Sequence, residues 1–155
     1  MRTLAIASMS AGLVLAGAAF AQVPSEGMFL SAADLKATVG KPVGGLAKTN
    51  LPTGPGVTII AAYRDADGEV EVHVALNDEF VVQDGHANVR VGGRVEGNHQ
   101  TAPGEWRGGV ITGGRTYAMS AGDVLWIPAG SPHQVVVPKG GAFRYLAVKF
   151  EAKAP

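Results

Sequence analysis

Glu69-Val70-Glu71-Val72-His73-Val74 alternates strictly between polar and apolar side chains. Successive side chains of a strand point to opposite faces, so Glu69, Glu71, His73 and Ala75 share one face and Val70, Val72 and Val74 the other. The same period extends in both directions. Upstream, Val57 to Tyr63 is strand by composition, and Asp67-Gly68 is a hairpin signal leading into the alternating stretch. Downstream, Glu79 to Gln83 is expected to turn at Asp84-Gly85 into His86 to Val91.

Strands then follow at Arg115 to Met119, Asp123 to Ile127, His133 to Val137 and Phe143 to Phe150. The pairs Gly92-Gly93, Gly113-Gly114 and Gly140-Gly141 punctuate them as turns that need positive φ. About eight or nine short strands in roughly 95 residues, with no helical period among them, call for a sandwich or barrel. Arg94 to Gly109 is the one long irregular insertion expected, and no longer repeat is present.

The N-terminal third reads differently. Residues 1–21 have a short cationic start at Arg2, an apolar run from Leu4 to Phe20 and an Ala19-Phe20-Ala21 site, the marks of a cleaved secretory signal peptide. Cleavage after Ala21 places the mature chain in the periplasm or outside the cell. An uncleaved membrane anchor is the competing account. Residues 22–56 form an extension rich in Pro, Gly and small residues. Within it Ser31 and Asp34 ahead of Leu35, Ala37 and Val39 predict one short helix, stopped by Gly40-Lys41-Pro42. Lys41 to Gly56 carries too many breakers for regular structure. Residues 57–150 are the β domain and 151–155 a tail.

The 155 residues include 13 basic and 13 acidic side chains, no cysteine, 22 glycines and 9 prolines. One domain fits that length. Balanced charge gives no cationic surplus for phosphates, so nucleic acid is not an expected partner. Absent cysteine removes disulfides, thiolate metal sites and cysteine nucleophiles together. Ser131 lacks a G-x-S-x-G setting and is followed by Pro132, which argues against a nucleophile elbow. The glycine pairs do not form a nucleotide fingerprint.

Gly122-Asp-Val-Leu-Trp-Ile-Pro128-Ala-Gly130-Ser-Pro-His133 has the form G-x5-P-x-G-x2-H. It resembles the second signature of the cupin superfamily, with Val137 where that signature usually ends in asparagine. The family's first signature is H-x-H, three or four residues, E, six residues, G. Here His73 falls on its second histidine, Asp78 on the glutamate and Gly85 on the glycine, with Glu71 at the first histidine. A rival register takes His73, Ala75 and Glu79 and misses Gly85 by one residue; the first register is preferred. The resemblance implies a single jelly-roll β-barrel, a divalent metal in its mouth and a homodimer. It also implies a range of activities that includes dioxygenases, isomerases and lyases as well as plain binding proteins. A fold that hosts so many reactions does not name one.

Ligands at i and i+2 of a strand point the same way, which suits Glu71 and His73. With Asp78 and His133 they make a candidate set of two imidazoles and up to two carboxylates, matched to iron, manganese or zinc. Plain structural accounts compete at each position. His73 can be a buried core histidine, Asp78 a turn residue after Asn77, Glu71 a solvent-facing side chain on an edge strand, and the whole site can be metal-free. Glu105, Trp106 and Arg107 cluster in the long insertion, where Arg107 can bind a substrate carboxylate through its planar fork, unless the segment is a plain surface loop. Trp126 is expected in the core, His86 and His99 exposed, and Tyr145 is undecided. The functional expectation is a secreted, metal-dependent cupin enzyme acting on a small polar or carboxylated molecule, with Glu71 and Arg107 as catalytic candidates. The alternative is a cupin module that binds a small molecule without turnover. No membrane partner is expected after signal cleavage.

Overall fold

The computed structural model describes residues 27–152. The expected leader over residues 1–21 lies outside the described residues, as do residues 22–26 and 153–155. The first element is α1 (Ala32–Thr38), capped by the Ser31 hydroxyl, which accepts from the Asp34 amide. Strands β1 (Leu46–Leu51), β2 (Val57–Arg64), β3 (Glu71–His73) and β4 (Leu76–Val91) follow. Four short strands come next: β5 (Arg94–Glu96), β6 (His99–Ala102), β7 (Glu105–Arg107) and β8 (Val110–Thr112). The chain closes with β9 (Arg115–Ser120), β10 (Val124–Ile127), β11 (His133–Val136) and β12 (Phe143–Glu151).

These strands build a curled, all-β half-barrel of the jelly-roll type. One face runs β1-β2-β12-β4 with β10 along the first half of β4; the other carries β9 and β11 along the second half of β4, then β3, β7 and β6. Strand β4 belongs to both faces. The sequence around Asp84-Gly85 predicts a hairpin, but the strand runs straight through it. Gly85 has φ 77°, and a Cβ there would run into the carbonyl of Ala142. The glycine therefore lets β4 bend against β12, where the register also shifts between Arg144 and Tyr145, instead of reversing the chain.

Asp67-Gly68 is likewise no hairpin. Strand β2 pairs with β1 and β12, whereas β3 pairs with β7 and β11, so the connection crosses from one face to the other. The crossing is tied down by Gly68 N donating to Val135 O and by the Asp67 carboxylate accepting from Val137 N. Two expected irregular stretches are ordered. Leu46–Leu51 pairs along its whole length with β2 and so joins the extension to the barrel sheet. The insertion from Arg94 to Gly109 contains β5, β6 and β7, and the flanking glycines at 92–93 and 113–114 meet backbone to backbone at the base of the β5–β8 ribbon. Short strands between glycine pairs carry too few residues to reveal a period.

The main core lies between the two faces. Phe80, Val82, Leu125 and Ile127 meet Val89, Met119, Val135, Phe143 and Tyr145 there. Phe143 is fully buried, which stabilises the barrel by roughly 1.5–3 kcal/mol relative to leaving it exposed. A second cluster of Val39, Leu51 and Ala61, joined by Leu30 and Leu35, packs the helical extension against the outside of β1 and β2. Trp126 departs from its expected core position: it is 48% exposed and packs its ring against Phe150 on the outer surface. The strand β10 alternates Leu125 and Ile127 inward, which turns Trp126 outward.

Candidate functional site

A cavity of about 540 Å³ opens between the faces, and its inner end is polar. Strand β3 delivers Glu71 and His73 to it from one pleat face, as their spacing requires. The loop of Pro128 to Pro132 places His133 at the head of β11, where it pairs with Glu71. Asp78 enters from the start of β4. His73, Asp78 and His133 are buried, and Glu71 is half-buried.

The hydrogen bonds fix what each imidazole offers. A carboxylate only accepts, so His73 carries its proton on Nδ1 and donates it to Glu105 Oε2 at 2.6 Å. An ammonium only donates, so His73 Nε2 is the acceptor for Lys149 Nζ at 2.8 Å. His133 Nδ1 is 3.1 Å from the Ser131 carbonyl and donates to it. Its Nε2 is then a buried lone pair without a hydrogen-bond partner among the described residues. Asp78 Oδ2 lies 3.4 Å from His73 Nε2 and 3.5 Å from His133 Nε2. Glu71 Oε2 lies 3.4 Å from His73 Nε2.

Acceptor atoms of Glu71, His73, His133 and Asp78 thus converge with a cation among them. Lys149 Nζ sits 2.6 and 2.7 Å from the two Asp78 oxygens. Glu71 is in turn met by Arg64 and Arg107, each at 3.4 Å. Burial alone would raise the Glu71 carboxyl, but its cationic neighbours, Arg107 and Lys149 among them, outweigh it and hold the group at about 2. Burial also lowers the His133 imidazole, against the pull of Glu71 and Asp78, and favours its neutral form.

The sequence-derived candidates therefore come together: Glu71, His73, Asp78, His133 and Arg107 all line the cavity. Atoms of Glu71, His73 and His133 lie within 4.8 Å of one another, close enough to hold a metal ion. Glu105 also lines the cavity, while its neighbour Trp106 does not. His86 and His99 are exposed. Sequence inspection missed Lys149 and Arg64 and left Tyr145 undecided; Tyr145 is buried, with its hydroxyl accepting from Arg64 Nε at 3.2 Å. A signal did exist, since Lys149 continues the inward phase of Phe143, Tyr145 and Ala147, and Arg64 that of Ile60 and Ala62.

Among solved structures, the chain is similar to a conserved protein with a double-stranded beta-helix domain from Klebsiella pneumoniae (TM-score 0.59, 14% identity, covering 83% of this chain and 94% of that one). It is also similar to KdgF from Halomonas sp. (0.54, 14%, 74% and 86%) and to the Schizosaccharomyces pombe Cnp3 cupin domain (0.52, 14%, 69% and 65%). The chain has the cupin-type, double-stranded β-helix fold. The match takes in slightly less than two thirds of the Cnp3 chain. A family model, the AraC-like ligand binding domain, matches residues 107–154 of this chain, from the end of β7 through β12. That span contains His133 and Lys149 but not the strand that carries Glu71 and His73. No curated protein matches the chain by sequence.

Proposed function

We propose that this cupin binds a small polar or carboxylated molecule in its barrel, with a divalent metal held by Glu71, His73 and His133 and with Asp78 as the neighbouring carboxylate. The observation that carries this reading is the buried Nε2 of His133, which has no hydrogen-bond partner among the described residues. A buried acceptor left unpaired costs about 1–3 kcal/mol, and a cation would satisfy it. Nitrogen and carboxylate donors of this kind suit iron, manganese or zinc. The bond from His73 Nδ1 to Glu105 supports the same reading, because metal-bound histidines commonly donate their other N–H to a carboxylate. Once bound, such an ion supplies Lewis acidity toward a ligand oxygen.

The remaining roles fall to the chain's own side chains. Arg107 and Arg64 border the cavity and offer guanidinium forks to a carboxylated ligand, although both now lean on Glu71. A carboxylate held at about 2 is a weak base, which favours Glu71 as metal ligand and charge anchor over general base. A reaction of dioxygenase, isomerase or lyase type is the finer form of the proposal. Binding without turnover is the coarser form, and the likeness to the AraC-like ligand binding domain supports it. Export to the periplasm belongs to the proposal on the strength of residues 1–21 alone.

The test is elemental analysis of the purified protein before and after reconstitution with iron, manganese or zinc. Near-stoichiometric retention that disappears in His133→Ala is the expected result. Sub-stoichiometric metal in the wild-type protein, with no gain on reconstitution, would refute the metal-bound reading.

A further inference from the structure

Around the proposed metal donors, carboxylates and cations are interleaved. Glu71, Asp78 and Glu105 bring carboxylates, and Arg64, Arg107 and Lys149 answer them. Of the three cations, Lys149 is the one placed among the proposed metal donors. We propose that the Lys149 ammonium is a resident cation that competes with a divalent metal for His73 and Asp78, so that metal loading requires Lys149 to leave them. This inference rests on the metal-bound reading above.

The competition is first one of lone pairs. His73 Nε2 has a single lone pair, and at 2.8 Å it is taken by a Lys149 N–H. A metal bound to the same nitrogen cannot share it. The competition is also electrostatic. Adding a divalent ion beside an ammonium in a largely buried cluster sets like charges a few ångströms apart, where screening is weak. The backbone position of Lys149 is fixed, because it stands opposite Asp78 across the β12–β4 ladder. Its four-carbon stem is not, and the head can swing into the cavity. There it would meet a carboxylated ligand, which supplies the counter-charge that Asp78 had given.

Zn²⁺ titration of the wild-type full chain and Lys149→Met by calorimetry tests the proposal. Removing the tethered charge should tighten Zn²⁺ binding by at least about tenfold. Equal or weaker binding by the variant, with wild-type binding intact, overturns the competition and leaves the metal-bound reading standing. Failure of both proteins to bind Zn²⁺ overturns both. Because Lys149→Met strips Asp78 of its buried partner, a second measurement uses the unmutated protein. Reductive methylation of Lys149, followed by peptide mass spectrometry, should proceed several-fold faster with saturating Zn²⁺ than without it. Identical rates with Zn²⁺ demonstrably bound overturn the proposal.

Discussion

His73 on β3 stands directly opposite Glu105 on β7, and its Nδ1 proton lies on the Glu105 carboxylate at 2.6 Å. The pairing assigns a purpose to the insertion that follows β5: it brings a carboxylate behind the histidine and sets its tautomer. Arg107, two residues on, then bridges Glu105 at 3.2 Å and Glu71 at 3.4 Å. The alternation of β7 is what lets both side chains face the cavity while Trp106 faces away.

On the proposed metal-bound reading, Glu105→Gln should therefore weaken metal binding without abolishing it. The amide can still accept from His73 Nδ1, but it no longer carries the charge that orients and enriches the imidazole. Loss of such an outer carboxylate commonly costs about 10–100-fold in metal affinity. Zn²⁺ calorimetry on the variant checks this, and an affinity equal to wild type would assign Glu105 to charge balance alone.

Gly85→Ala should damage the barrel rather than the site. The position has φ 77°, and an added methyl would meet the Ala142 carbonyl where β4 bends past β12. Left-handed backbone at a residue with a side chain costs about 1–2 kcal/mol, and the clash adds to it. A loss of about 2 kcal/mol or more in urea unfolding is expected. A variant as stable as wild type would show that the strand can shift there freely.

The alternation through residues 69–74 and the G-x5-P-x-G-x2-H stretch made the all-β fold and most of the cavity residues legible in the sequence. Glu71 and His73 could be paired because β3 is apolar on one side only. Lys149 and Arg64 were hidden for the opposite reason. Strands β12 and β2 are apolar on both faces, since the barrel core covers one and the cluster of Val39, Leu51 and Ala61 covers part of the other. With apolar neighbours on both sides, alternation does not say which phase is inward, so the phase that carries Lys149 and Arg64 could not be told from its opposite. The bend at Gly85 was hidden because Asp-Gly marks a hairpin and a glycine-mediated strand bend with the same letters.

Tyr145→Phe should destabilise the barrel by about 1–3 kcal/mol, more than a lost surface hydroxyl would. The hydroxyl accepts from Arg64 Nε at 3.2 Å in a buried setting, and its loss leaves a guanidinium N–H unpaired. Gly68 lies against the same guanidinium, so no side chain there takes over the contact. Urea unfolding of the variant beside wild type measures the loss; a difference below about 0.5 kcal/mol would mean that water replaces the hydroxyl.

Acid should unfold the metal-free protein in two stages. Burial holds His133 below its ordinary 6.5, so beneath that value the unfolded chain binds more protons than the folded one, and stability falls as pH drops from 6.5 toward the lowered value. Glu71 adds the second stage. Its contribution is fully present above 4.5, is lost as pH falls toward about 2, and is on the order of 3 kcal/mol at most. Urea unfolding in the presence of a chelator at pH 8, 6.5, 5.5 and 4 should show the first decline beginning near 6.5. His133→Asn, whose amide can still donate to the Ser131 carbonyl, should flatten that first decline and keep the second. A wild-type profile that is flat between pH 6.5 and 5 would mean that the imidazole titrates alike in the folded and unfolded chain, against the burial described for it.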